Sequence, residues 1–133
     1  MKTRIFLFLA CGVLVLAVLG CETTVTEEEG GEKVATYSYS QRELEVEYKR
    51  GIDQVYAAAQ KALEDLELRG VSARQDQLTG RLVAEDAQEN EVEILLEARG
   101  ADETRATIQW GILGDKDKSI RVYRAINENL ATS

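Results

Sequence analysis

Between Arg42 and Tyr48 the chain alternates with a period of two: Leu44, Val46 and Tyr48 are apolar, Glu43, Glu45 and Glu47 acidic. Successive side chains of a strand point to opposite faces, so this run predicts a half-buried strand with one wet, acidic side. Tyr37 and Tyr39 alternate likewise upstream, with a phase shift before Leu44. The period then lengthens. Val55, Tyr56, Ala59, Leu63 and Leu66 fall on one helical face, with Asp53 as N-cap and Gly70 as the stop.

Four strand-like runs follow at hairpin spacing. A short "VSARQ" and then "RLVAEDA" are separated by a turn at Leu78-Thr79-Gly80. "EVEILLEA" places Val92, Ile94, Leu96 and Ala98 on one face. After a turn at Gly100 to Asp102, "ETRATIQW" turns Ala106, Ile108 and Trp110 inward. Ile120, Tyr123, Ile126 and Leu130 then recur at helical spacing in a second amphipathic helix, which Asp115 would cap. The order β-α-β-β-β-β-α predicts an α+β two-layer sandwich, a mainly antiparallel sheet with both helices on one face. Pairing the first strand beside the last gives the sheet order 2-3-4-5-1.

The N-terminal pattern is of another kind. Lys2 and Arg4 precede the uncharged run Ile5 to Gly20, which as a helix would reach roughly 24 Å, short of the ~30 Å hydrocarbon core. Glu22, Thr23 and Thr24 follow, not a basic or aromatic flank. Residues 1–20 therefore read as a cleaved export signal, with an uncleaved signal-anchor as the alternative. Residues 22–36, "ETTVTEEEGGEKVAT", carry a Glu run and paired glycines and read as a flexible acidic tether. The division is a signal at 1–20, Cys21 with its tether at 21–36, and a small α+β domain at 37–133.

Val18-Leu19-Gly20-Cys21 resembles the lipobox of bacterial lipoproteins. That resemblance implies cleavage between Gly20 and Cys21 and attachment of diacylglycerol to the Cys21 sulfur. Two or three acyl chains, at about 0.8 kcal/mol per buried methylene, make a stable anchor. "TYSYSQRELEVEYKRGIDQVYAAAQKALEDLEL" and "IQWGILGDKDKSIRVYRAINENL" extend the resemblance to small bacterial envelope lipoproteins catalogued only as a domain of unknown function. Relatives often have Pro before the first helix, where this chain has Gly51, and a Gly/Ala-rich segment after the Cys, where it has acidic residues. The family implies a lipid-anchored domain facing the periplasm, and it carries no assigned activity. Glu22 is not the Asp that retains enteric lipoproteins in the inner membrane, which tilts the expectation toward the outer one.

Chemistry narrows the function. The chain has no histidine, which removes Ser-His-Asp and Cys-His catalysis and imidazole metal sites. Its two cysteines are Cys11, inside the signal, and Cys21, so the mature domain has no thiol nucleophile and no disulfide. Lys61, Lys116 and Lys118 lie on predicted exposed faces or at a helix start, poor places for a desolvated catalytic amine. Asp115, Asp117 and Ser119 have the spacing of a calcium loop's first ligands, but Ile120 and Ile126 stand where Gly and Glu are needed. No metal or cofactor is implied. The net charge of −8 becomes −10 once Lys2 and Arg4 are removed, against nucleic acid as a partner.

A noncatalytic, monomeric binding or structural module remains, held to the membrane and open to an envelope protein partner. Glu43, Glu45 and Glu47 are its candidate contact surface; the simpler reading is a solvated sheet face with cross-strand Glu–Arg pairs involving Arg81 and Arg105. The alternative function is a carrier of a small apolar ligand or lipid between sheet and helices. A carrier requires a cavity beneath Tyr56, Trp110 and Tyr123, and a binding module a filled core.

Overall fold

The computed structural model describes residues 22–26 and 34–133. The expected signal at 1–20, the cleavage and lipidation positions Gly20 and Cys21, and the acidic run Glu27 to Glu29 lie outside them. The remaining chain forms β1 (Glu22–Thr26), β2 (Val34–Ser38), β3 (Glu43–Tyr48), α1 (Ile52–Asp65), β4 (Arg69–Gln75), β5 (Thr79–Glu85), β6 (Glu91–Gly100), β7 (Glu103–Trp110) and α2 (Lys116–Ala131). From β3 onward this is the β-α-β-β-β-β-α order of an α+β sandwich. The sheet runs β1-β2-β3-β7-β6-β5-β4, every pairing antiparallel. Its last five strands reproduce the order expected from the sequence.

The difference lies at the N-terminal edge. Glu22–Thr26 and Val34–Thr36, expected to be tether, extend the sheet, and the domain begins before Tyr37. Threonine and valine, with branched Cβ atoms, suit a strand better than a linker. Ala35 opposes Val46 and is fully buried, so β2 belongs to the core.

Rows of side chains cross the covered face in register. Leu44, Ile108, Ile94 and Leu82 form one row; Val46, Ala106, Leu96 and Gly80 form the next. The small residues of the second row make space for α1. A Cβ on Gly80 would meet the Tyr56 ring at 3.0 Å, which fixes glycine inside β5 and not, as expected, in a turn. The turn is Asp76 to Leu78, where the Asp76 carboxylate accepts from the Leu78 and Thr79 amides at 2.8 Å. Both helices close one core with the sheet; Val55, Ala59, Tyr123 and Ile126 are fully buried.

Both ends of α1 differ from expectation. Gly51, not Asp53, is the N-cap, because starting at Ile52 brings that side chain into the core in phase with Val55 and Ala59. Asp53 sits in the first turn, where the helix dipole favours a carboxylate. The helix stops five residues before Gly70. Glu67 takes the left-handed conformation at φ 58°, its amide donates to the Glu64 carbonyl, and the Leu68 amide donates to Leu63. This is a Schellman ending with Glu in the glycine position, drawn shut by half-buried Leu68. At α2, the Asp115 carboxylate accepts from the Lys118 amide at 2.9 Å, the expected cap.

Candidate functional site

The outward sheet face carries the acidic positions singled out by the sequence. Glu43, Glu45 and Glu47 of β3 are half-buried along one line, and β7 brings Arg105 beside them. The Arg105 guanidinium donates to Glu47 at 2.7 Å and lies 3.4 Å from Glu45. These contacts, the Glu47 hydrogen bond foremost, hold the guanidinium above its ordinary pKa. Glu43 has a different environment: burial, then the neighbouring Glu45 charge, raise its carboxyl pKa. Two strands away Arg81 donates to Glu93 at 2.9 Å, and the Arg99–Glu97 distance is 3.9 Å. Arg105–Glu47 and Arg81–Glu93 are cross-strand ion pairs and Arg99–Glu97 a pair within β6, each worth about 0.2–1 kcal/mol. The acidity of the face is partly neutralised within the sheet.

The sheet ends at β1 on one side and at β4 on the other, and β4 is exposed along all seven residues. Arg69 and Arg74 line it, Arg69 bonds Glu85, and the register slips between Gly70 and Ser72. Charge and a bulge on an edge both discourage addition of a further strand.

Trp110 belongs to the core, 8% exposed, as its phase with Ile108 predicts. Its Nε1–H donates to Asp86 at 3.4 Å, and the Lys118 ammonium lies 5.3 Å from the ring centroid. Asp86 gathers more: the amides of Gln88 and Asn90 and the Asn90 side chain all donate to it at 2.9 Å. These bonds, that of the Asn90 side chain foremost, hold its carboxyl below the usual range. Periodicity does not single out Asp86, although "EDAQEN", an acid leading a polar turn between strands, is the signal for such an anchor. An open groove of about 790 Å³ lies outside the indole, bordered by Glu91, Glu93, Gln109 and Lys118; Tyr56 and Tyr123 do not line it. Beneath the helices, the Tyr48 and Tyr123 rings lie 6.5 Å apart and fill the space between layers.

The lysines and the acidic loop residues take structural places. Lys61 is exposed, and half-buried Lys116 reaches the Tyr39 ring. Asp115 is committed to its cap and Ser119 is fully buried, so the calcium-like spacing gathers no ligand set. Among the described residues no three acids or thiols cluster as metal ligands, and no helix is long and apolar enough to cross a membrane.

A further feature went unnoticed in the sequence. Ile112 and Leu113, 86% and 78% exposed, protrude between Gly111 and Gly114 at the β7–α2 junction. Two aliphatic residues bracketed by glycines, where the strand alternation hands over to the helical period, were the available sign.

Compared with known protein families, residues 4–129 match the model described as "Protein of unknown function (DUF3568)". No curated protein matches the chain.

Proposed function

The chain belongs to the DUF3568 family, and from that premise we propose that it is a lipid-anchored envelope protein whose folded part is a noncatalytic binding or structural module. The observation that carries the module reading is the filled interior. Tyr48, Leu44, Ile94, Ile108, Tyr123 and Ile126 are at most 1% exposed and occupy the layer where a carrier would hold its ligand. Two grooves lie outside this layer, one at Trp110 and one between Gly51 and Leu78, and charged residues share the walls of both. These features favour surface contact over enclosure of an apolar molecule.

The anchor rests on the sequence before the domain. Lys2 and Arg4, an uncharged run of 16 residues and Gly20-Cys21 form a signal ending at a lipidation position. The family match spans this segment together with the domain, which supports reading them as one unit. The domain would face the periplasm, with the outer membrane as the preferred site.

Contact with an envelope protein is assigned to the acidic face, where Glu43, Glu45 and Glu47 stand in one line, in preference to the β4 edge with its arginines and register slip. Glu43 is the member of its triad that Arg105 leaves unneutralised. The test is charge reversal of Glu43, Glu45 and Glu47 to Lys, with crosslinking in cells. Circular dichroism should stay native, since exposed pairs contribute little to stability, while capture of the crosslinked partner falls severalfold. Unchanged capture by a natively folded variant would remove this face from the proposal.

A further inference from the structure

The Ile112-Leu113 protrusion is a built feature of the fold. The Gly111 amide donates to Glu91 at 2.7 Å, the Gly114 amide donates to Gly111 at 3.2 Å, and Arg42 donates to the Ile112 carbonyl at 3.3 Å. Gly111 and Gly114 have φ of 72° and 69°, conformations that suit glycine. At Gly114 a Cβ would also stand 2.6 Å from Arg42 backbone and 2.8 Å from the Tyr37 hydroxyl. The loop is therefore clamped to the β2–β3 turn with both aliphatic side chains pointing to solvent. Water disfavours such an arrangement, and the core offers them no place.

Topology says which way they point. Glu22 pairs with Ser38, at the end of β2 that leads into the same β2–β3 turn. Arg42 of that turn holds the Ile112 carbonyl, so β1 begins at the end of the sheet that carries the protrusion. In the sequence Cys21 directly precedes Glu22. Around the loop, half-exposed Tyr39 meets Tyr37 edge to face with ring centroids 5.0 Å apart, and the Lys116 ammonium lies 5.7 Å from the Tyr39 centroid. Tyrosine and lysine, apolar in body and polar at the tip, suit a boundary between hydrocarbon and water. Acidic residues stand nearby too, Glu91, Asp115 and Asp117 among them, which disfavours a strongly anionic surface.

We propose that Ile112 and Leu113 form a second membrane contact, entering the interface of the bilayer that holds the Cys21 lipid, at neutral zwitterionic headgroups. The inference rests on the lipid-anchor reading and deepens it. The acyl chains provide affinity and keep the loop at high local concentration near the surface, so two side chains suffice to set orientation. The strands then stand away from the membrane, and the turn bearing Leu78, 68% exposed at the far end of the sheet, is held roughly 20 Å or more above it.

The test uses the full lipidated chain in vesicles of phosphatidylethanolamine and phosphatidylcholine. Leu113→Cys, or Leu78→Cys as control, is labelled with a polarity-sensitive dye; in the processed chain Cys21 is thioether-linked and does not react. The dye at 113 should shift to the blue and be quenched at least twofold by lipid-borne quenchers, while the dye at 78 does neither. Ile112→Ser in the 113-labelled chain should weaken that quenching at an unchanged thermal midpoint. Equal, solvent-like behaviour of the two dyes would overturn the loop contact. So would protection at 113 that requires an added envelope protein, which would mark a protein-docking site. Intact mass of the same sample separates the two readings: an unmodified Cys21 defeats the anchor, whereas a lipidated Cys21 with an unshifted dye at 113 defeats the loop alone.

Discussion

Tyr48 and Tyr123 lie with ring centroids 6.5 Å apart beneath the two helices, and neither buried hydroxyl has a hydrogen-bond partner among the described residues. An unsatisfied buried hydroxyl costs about 1–3 kcal/mol relative to one that is paired. Tyr48→Phe keeps the ring and removes the orphan group, so it should raise unfolding stability by about 1 kcal/mol in a urea titration. A loss of similar size would instead reveal a buried water bridging the two phenols.

The same residue sets an alkaline limit. Burial, and next the Tyr123 phenol, push the Tyr48 phenol well above its ordinary value of 10.0. The folded state then holds that proton more tightly than the unfolded chain. The resulting stability is fully present below the ordinary value and is lost as pH rises through the folded one. Urea midpoints should fall as pH rises above 10.0, and less steeply in Tyr48→Phe.

Trp110 ties the core to the β5–β6 loop through Asp86. Trp110→Ala should cost about 3–5 kcal/mol as a core truncation and add the loss of its bond to Asp86. A domain that stayed at wild-type stability while losing a small apolar ligand would favour the carrier reading. Chemical denaturation followed by circular dichroism separates the outcomes without using the indole as probe.

Glu67 occupies a left-handed position that glycine adopts without strain. Glu67→Gly should stabilise the domain by about 0.5–1 kcal/mol, the relief of strain exceeding the added freedom of the unfolded chain. Thermal unfolding reads the change directly.

Much of this architecture was legible because period-two and period-3.6 patterns are enforced by burial. Leu44, Val46 and Tyr48 could face only one way, and their row-mates on β6 and β7 obey the same constraint. The strand order followed once β3 was placed beside β7. Tertiary contacts decided the rest. Gly80 reads locally as a turn residue, and only the Tyr56 ring above it explains its place inside a strand. Gly70 reads as a helix stop, yet Leu68 reaching the core ends the helix sooner. β1 and β2 were hidden by a glutamate run that makes the whole segment look like linker. At the surface, Glu43, Glu45 and Glu47 were visible as an acidic line, but the Arg105 contacts that neutralise part of it belong to the fold. Ile112 continues the alternation of Ile108 and Trp110, and Leu113 stands seven residues before Ile120, so the periods alone gave no sign that this loop turns both to solvent.

Intact-mass spectrometry of the protein purified from its native host decides whether Cys21 carries lipid. The predicted result is a chain beginning at Cys21, residues 1–20 removed, carrying diacylglycerol on sulfur with or without an amide-linked acyl chain. Cys21→Ala should remain an unprocessed precursor. A wild-type chain with Met1 intact and a free Cys21 thiol would rule out the lipid anchor.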